Sequence, residues 1–265
     1  MKRRNRVWML ALALALVLGA VSGQAEGDLL TTIKERGTIV IATEGDWPPL
    51  TYHNENNELV GFDVELGQAI AERLGVKAEF VETNWDAILA GVDSGRFDLA
   101  CNGVSYTEER AKKYNFSTPY VYTPTVLVVR ADNTDINSFA DLKGKKTANT
   151  ISSIYAGIAQ EQGAEVVGVD TLADTLQLVQ QGRVDATLNS QMSINDYLAE
   201  HPDAPIKVVD SMDGDIFVIP VRKGAETDTL ITEVNKILDE MRADGTLAAL
   251  SQKYFNGDLT KNPVK

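Results

Sequence analysis

The sequence predicts an α/β protein of two similar βαβ lobes joined by a two-stranded hinge, with a cleft between them. Three observations carry that expectation. Short apolar strands alternate with segments of helical periodicity along the chain. The octet Gly95-Arg96-Phe97-Asp98-Leu99-Ala100-Cys101-Asn102 recurs as Gly182-Arg183-Val184-Asp185-Ala186-Thr187-Leu188-Asn189, so each half holds the series helix, glycine stop, strand, asparagine. Two extended runs, residues 123–130 and 215–222, stand where the chain could pass between lobes.

The elements follow in order. Gly37-Thr38-Ile39-Val40-Ile41-Ala42 reads as a buried strand ending in the polar loop Thr43-Glu44-Gly45-Asp46-Trp47-Pro48-Pro49, where the glycine and the proline pair are expected to forbid regular structure. Phe62, Leu66, Ala69, Ile70 and Leu74 share one face of a helix that Gly75 stops, and Asp63 and Glu65 in its first turn read as capping, solvated charges. Residues 78–81 form a second strand, and residues 85–92 a second helix closed by Ser94-Gly95. Residues 144–150 echo the opening strand and lead into the hydroxyl-rich Ile151-Ser152-Ser153-Ile154-Tyr155. Helices over 230–241 and 247–255 end the chain. The two crossings divide it into lobe 1, residues 26–122 with 217–265, and lobe 2, residues 123–216. Such a hinge absorbs backbone rotation, so closure around a ligand is expected.

The first 25 residues have the form of an export signal: Lys2, Arg3, Arg4 and Arg6, an apolar run over 7–21, then Gly23-Gln24-Ala25 as a cleavage site. Cleavage near Ala25 and a periplasmic location follow. At 15 residues the run is shorter than the roughly 20 a spanning helix needs. Loss of its four basic residues leaves 21 basic against 38 acidic side chains, a net −17, which disfavours nucleic acid and anionic membrane as partners. Cys101 is the single cysteine and reads as a small buried hydrophobe.

The densest signal is residues 96–110, where a buried strand runs into a helix start. Ser105 and Thr107 supply hydroxyls, the first-turn N–H groups point outward, and Arg110 adds a planar, permanently charged fork, which together outline a carboxylate receptor. Trp47, set in a polar, proline-rich loop, faces the same cleft rather than a core, and Trp85 is read the same way. Asn102 serves equally as a satisfied strand-end amide or a ligand contact. Asp132-Asn133-Thr134-Asp135 lacks the glycine and glutamate of a calcium loop and reads as a turn.

Four segments resemble the solute-binding proteins of polar amino-acid ABC transporters, extracellular solute-binding proteins of family 3: Thr43-Glu44-Gly45-Asp46-Trp47-Pro48-Pro49-Leu50, Gly61-Phe62-Asp63-Val64-Glu65-Leu66, residues 105–110 with Phe116-Ser117-Thr118-Pro119-Tyr120, and Ile219-Pro220-Val221-Arg222-Lys223-Gly224. The resemblance implies the type II periplasmic binding protein fold and a monomeric receptor that delivers an amino acid to a membrane permease without a cofactor. By the same resemblance Arg110 grips the ligand α-carboxylate with Ser105 and the Gly103 backbone. Trp47 and Trp85 flank the ligand side chain, Glu44 touches its polar groups, and Ser152, Ser153 and Tyr155 close over the carboxylate. Asn189 belongs to the lobe 2 strand end. Many members place an aspartate for the α-ammonium where this chain has Ser190, so Glu44, Asp46 and Asp215 are candidate counter-charges. The loop, hydroxyl and Asp185–Ser190 motifs are most similar to members that bind cystine or cysteine.

The rival readings are a periplasmic enzyme on the same fold, such as an arogenate or prephenate dehydratase, and a sensory ligand-binding module. No G-x-S-x-G or metal-ligand cluster supports catalysis, and a lone Glu44 acting as general acid would need a raised pKa. The expectation is therefore a receptor and not an enzyme.

Overall fold

A computed structural model describes residues 27–263. The export signal expected over residues 1–25 lies outside them. No helix among the described residues is long and apolar enough to cross a membrane.

Lobe 1 is built on a parallel sheet in which Thr38–Thr43 lies between Lys77–Glu82 and Leu99–Ala100. The helix Phe62–Leu74 covers it, with Phe62, Leu66, Ile70 and Leu74 buried at spacings of four, and Gly75 at φ 76° ends it in the left-handed region. Asp228–Ala243 packs its Leu230, Val234, Ile237, Leu238 and Met241 face into the same core, followed by Thr246–Phe255.

Lobe 2 is a five-stranded sheet in the order Glu165–Gly168, Lys146–Asn149, Ala186–Ser190, Val121–Arg130, Ile206–Phe217. The first three strands run parallel and the last two antiparallel to their neighbours. Helices Ile154–Glu161, Leu172–Gln180 and Gln191–Glu200 cover its faces. Val121–Arg130 and Ile206–Phe217 make the two crossings, paired through Tyr122 with Ile216 and Thr123 with Asp215. One extra residue enters the return strand between Met212 and Asp215, opposite Pro124, whose missing N–H cannot serve the ladder.

The internal repeat is visible in hydrogen bonds as well as in order. Gly95 and Gly182 both take left-handed φ, 72° and 65°. Each is also approached by an arginine: a Cβ on Gly95 would meet Arg222 Nη1 at 2.9 Å and one on Gly182 would meet Arg130 Nη1 at 2.7 Å.

Four readings from sequence need correction. The return crossing ends at Phe217, and Pro220–Arg222 pairs separately with Tyr114–Phe116 instead of continuing it. The loop after the first strand is not free of regular structure, because Asp46–Trp47 pairs with Thr51–His53, which pairs with Leu59–Val60. Asp63 is fully buried rather than solvated: it accepts the Gly103 N–H and the Tyr120 hydroxyl, the latter at 3.0 Å. The helix ahead of Arg110 is a single turn, Glu108–Ala111, and Thr107 occupies the Arg110 N–H at 3.0 Å, so the receptor outline rests on the guanidinium and not on a helix terminus. Asp132–Asp135 is the turn expected, organised by Asn133 Oδ1 accepting from the Asp135 and Ile136 N–H groups.

Candidate functional site

The ends of the parallel strands in both lobes face one cleft of about 570 Å³ counting its open mouth. Lobe 1 contributes Glu44, Asp46, Trp47, Trp85, Gly103, Ser105 and Arg110 to its walls. From lobe 2 come Asn149, Thr150, Ser153, Ile154, Tyr155, Asp170, Thr171, Leu172, Thr175 and Asn189. Arg110 is the sole basic residue among these, against three carboxylates.

Arg110 is placed by contacts from both sides. Its Nη1 donates to the Ser105 carbonyl at 2.9 Å and its Nη2 to the Ser152 carbonyl of lobe 2 at 3.1 Å, while the guanidinium lies 5.3 Å from the Trp85 ring centroid. Burial pulls its pKa down, and the nearby Asp215 carboxylate opposes that fall. Ser105 sits on the return crossing through a bridge to Phe217, with the Tyr106 N–H donating to Ile216 at 2.8 Å. Gly103 takes φ 54°, and a Cβ there would lie 2.8 Å from Trp47 and from Leu50, so only glycine lets the indole pack on this backbone. Trp47 itself packs against the apolar clusters of both lobes. The indole N–H groups of Trp47 and Trp85 are buried with no protein partner.

Glu44 is held by Asn102 in a two-point grip: Asn102 Nδ2 donates to Glu44 Oε2 and the Glu44 N–H donates to Asn102 Oδ1, both at 2.7 Å. Burial raises the Glu44 pKa to about 7, with the Asn102 amide working against the rise and the charge of Asp46 adding to it. Asn102 does not line the cleft; of its two readings the satisfied amide is the one observed.

Ser153 caps the helix Ile154–Glu161 by accepting from the Ala156 N–H at 3.2 Å, which fixes Tyr155 at the second helical position with its hydroxyl on Asp215 Oδ2 at 2.8 Å. Burial lifts the Asp215 pKa to about 6, and the Ser105 and Tyr155 hydroxyls beside it favour the anion. Asn189 lines the cleft and accepts the N–H of Ser190 at 2.9 Å.

Two expected site residues stand outside the walls. Ser152 is exposed at the rim, its hydroxyl on Asp86 and its carbonyl on Arg110, where it ties the lobes together. Asp215 lies outside the wall, with the hydroxyls of the cleft-lining Tyr155 and Ser105 beside it. Ser190, where relatives were expected to carry an aspartate, is a fully buried helix cap bonded to Ser193 Oγ at 2.9 Å.

Sequence reasoning passed over Asn149, Asp170, Thr171, Leu172 and Thr175. A signal for part of them existed. The 87-residue offset of the repeat sets Thr171-Leu172 against Asn84-Trp85, and Thr171 and Asn84 each cap the helix that follows.

Known proteins resemble the chain over most of its length. The chain is 38% identical over 251 residues to a probable amino-acid ABC transporter-binding protein of Haemophilus influenzae, covering 93% of this chain and 97% of that one. It is 40% identical over 238 residues to the L-cystine-binding protein TcyA of Bacillus subtilis, covering 89% and 88%. An ancestral arginine-binding protein bound to arginine superposes with a TM-score of 0.78 at 37% identity, over 83% of this chain and 99% of that one. The L-cystine solute receptor of Neisseria gonorrhoeae in its unliganded open conformation gives 0.59 at 40% identity, over 89% and 100%. Residues 39–257 match the bacterial extracellular solute-binding proteins, family 3, and with the two-lobed type II fold and shared cleft already described, the chain belongs to that family.

Proposed function

We propose that this protein is the extracytoplasmic receptor that captures a polar L-amino acid, L-cystine first among candidates, and hands it to the permease of an ABC transporter. The observation that carries the reading is Arg110: a lone guanidinium on a tryptophan face, in a cleft both lobes wall, with donors left over for a carboxylate after two are used on carbonyls. Lobe 1 holds the zwitterion first. Closure then brings the Ser153 loop and Tyr155 over it and converts binding free energy into a lobe position that a permease can read. The cleft here is bridged by Arg110 to Ser152 and by Ser152 to Asp86, and the chain superposes better on an arginine-bound relative than on an open one of higher identity. Export by a signal cleaved near Ala25, action as a monomer, and lobe boundaries at 122/123 and 216/217 belong to the same proposal.

Calorimetric titration of the mature protein tests it, after unfolding and refolding to strip carried-over ligand. The panel is cystine, cysteine, glutamine, arginine, histidine and glutamate. Saturable one-to-one binding of cystine supports both receptor and ligand; binding of another member keeps the receptor and replaces the ligand; silence across the panel removes the reading. One observation favours a second reading: Glu44 at about pKa 7 in the cleft has the proton affinity of a general acid. Turnover of arogenate or prephenate would establish that enzyme, and its absence together with tight binding would leave the receptor.

A further inference from the structure

Besides the Trp47 and Trp85 indole N–H groups, the cleft-lining residues hold one buried polar atom without a protein partner, on a residue to which neither the sequence motifs nor the relatives' names assign a role. Asn149 ends the strand Lys146–Asn149, is 2% exposed and lines the cleft. Its Nδ2 donates to the Leu188 carbonyl at 2.8 Å and to Thr187 Oγ1 at 3.3 Å. A backbone carbonyl can only accept, so the amide cannot be turned round, and Oδ1 is the end that faces away from these two groups. That oxygen has no hydrogen-bond partner. Leaving a buried acceptor unpaired is costly, and here the cost falls at the wall of a binding cleft.

Lobe 1 shows what the same place looks like when it is purely structural. Thr43 ends the corresponding strand, and its hydroxyl is fully used on Thr51 Oγ1 at 2.7 Å and Asn102 Oδ1 at 3.2 Å. Of the other lobe 2 groups expected near a ligand cation, Ser190 caps a helix and Asp215 bonds the Tyr155 hydroxyl outside the wall, which leaves Asp170 as the lobe 2 carboxylate that lines the cleft.

We propose that Asn149 Oδ1 is the lobe 2 acceptor for an ammonium group of the bound amino acid, in place of a carboxylate at position 190. This rests on the receptor reading above and assigns a binding residue within it. Asn149 is a neutral acceptor, so discrimination comes from the N–H donor the ligand presents, and Glu44, Asp46 and Asp170 supply the negative potential around it.

The test is calorimetry on the wild-type protein, Asn149→Ala and Asn149→Asp. Each is titrated with L-cystine, L-arginine and L-glutamine and with their desamino counterparts 3,3′-dithiodipropionate, 5-guanidinopentanoate and glutaramate. For the amino acid that the wild type binds, Asn149→Ala is expected to weaken affinity about 10- to 100-fold, the worth of one hydrogen bond to a charged group. Its effect on the desamino counterpart should stay under about threefold, as a double-mutant cycle requires. Asn149→Asp keeps an oxygen at this position, at the cost of the donor to the Leu188 carbonyl, and should retain the amino acid; retained binding of the desamino counterpart by Asn149→Ala guards against a variant that merely misfolds. Equal losses for both ligand forms, or no loss for the amino acid, would overturn the assignment while leaving the receptor intact. A wild type silent to every amino acid would overturn both.

Discussion

Asp98 accepts the Val40 N–H at 2.7 Å in lobe 1, and Asp185 accepts the Lys146 N–H at the same distance in lobe 2. Each therefore pins the strand after its Gly-Arg-x-Asp turn to the parallel strand beside it. The asparagines four residues on, Asn102 and Asn189, end equivalent strands and behave differently. Asn102 holds Glu44 at both ends of its amide and also accepts from the Thr43 hydroxyl, whereas Asn189 satisfies its oxygen on the next backbone N–H and stands in the cleft wall. The lobes thus share a scaffold and divide the chemistry. Lobe 1 carries the charges, Arg110 and a clamped Glu44; apart from Asp170, lobe 2 brings neutral hydroxyls and amides. A duplicated frame keeps its geometry through backbone hydrogen bonds, which leaves the strand-end side chains free to specialise.

The sharpest way to break this division is Arg110→Ala. Removing the only guanidinium in the walls should cost about 2–5 kcal/mol of affinity, read by calorimetry as loss of measurable binding. Micromolar affinity in a folded Arg110→Ala protein would place the carboxylate elsewhere. Next come the paired asparagines. Asn102→Ala unclamps Glu44 and should weaken binding about tenfold or more, while Asn189→Ala, which removes no such clamp, should change it less than about threefold; equal effects would erase the asymmetry between lobes.

Titration separates the lobes in another way. A ligand ammonium favours the ionised Glu44, so below its pKa of about 7 binding must release a proton. Affinity should fall by up to about tenfold per unit as pH drops from 7 to 5, with proton release visible as a buffer-dependent enthalpy. Glu44→Gln should flatten that dependence; a slope that survives it would assign the proton to another group. The smallest contrast is in the scaffold itself. Asp98 is buried and also pairs with Arg36, whereas Asp185 is exposed, so Asp98→Ala should cost about 2–3 kcal/mol in denaturant unfolding and Asp185→Ala about 1 kcal/mol.

The repeat, the sheets and most cleft residues were legible because local chemistry writes them into the chain. Gly95 and Gly182 are required by their backbone angles, and Phe62, Leu66, Ile70 and Leu74 by helical spacing. Asn149 was not legible, since its importance arises from pairing with Gly168 and from Leu188 lying across the sheet, neither of which is near it in sequence. Asp215 and Ser152 show the opposite failure: both lie close to the cleft in the chain, yet their side chains are drawn to Tyr155 and Asp86. Asp63 misled because a carboxylate in a first turn is ordinarily solvated, and only the approach of Gly103 and Tyr120 accounts for its burial.

The extra residue opposite Pro124 has an evolutionary consequence. Asp213 and Gly214 fall between the paired positions Met212 and Asp215, so neither has a register partner on the facing strand. Gaining or losing one residue there removes no register pair and disturbs neither core. The return crossing can therefore change length at this point across generations while the strand pairing on either side of it is kept.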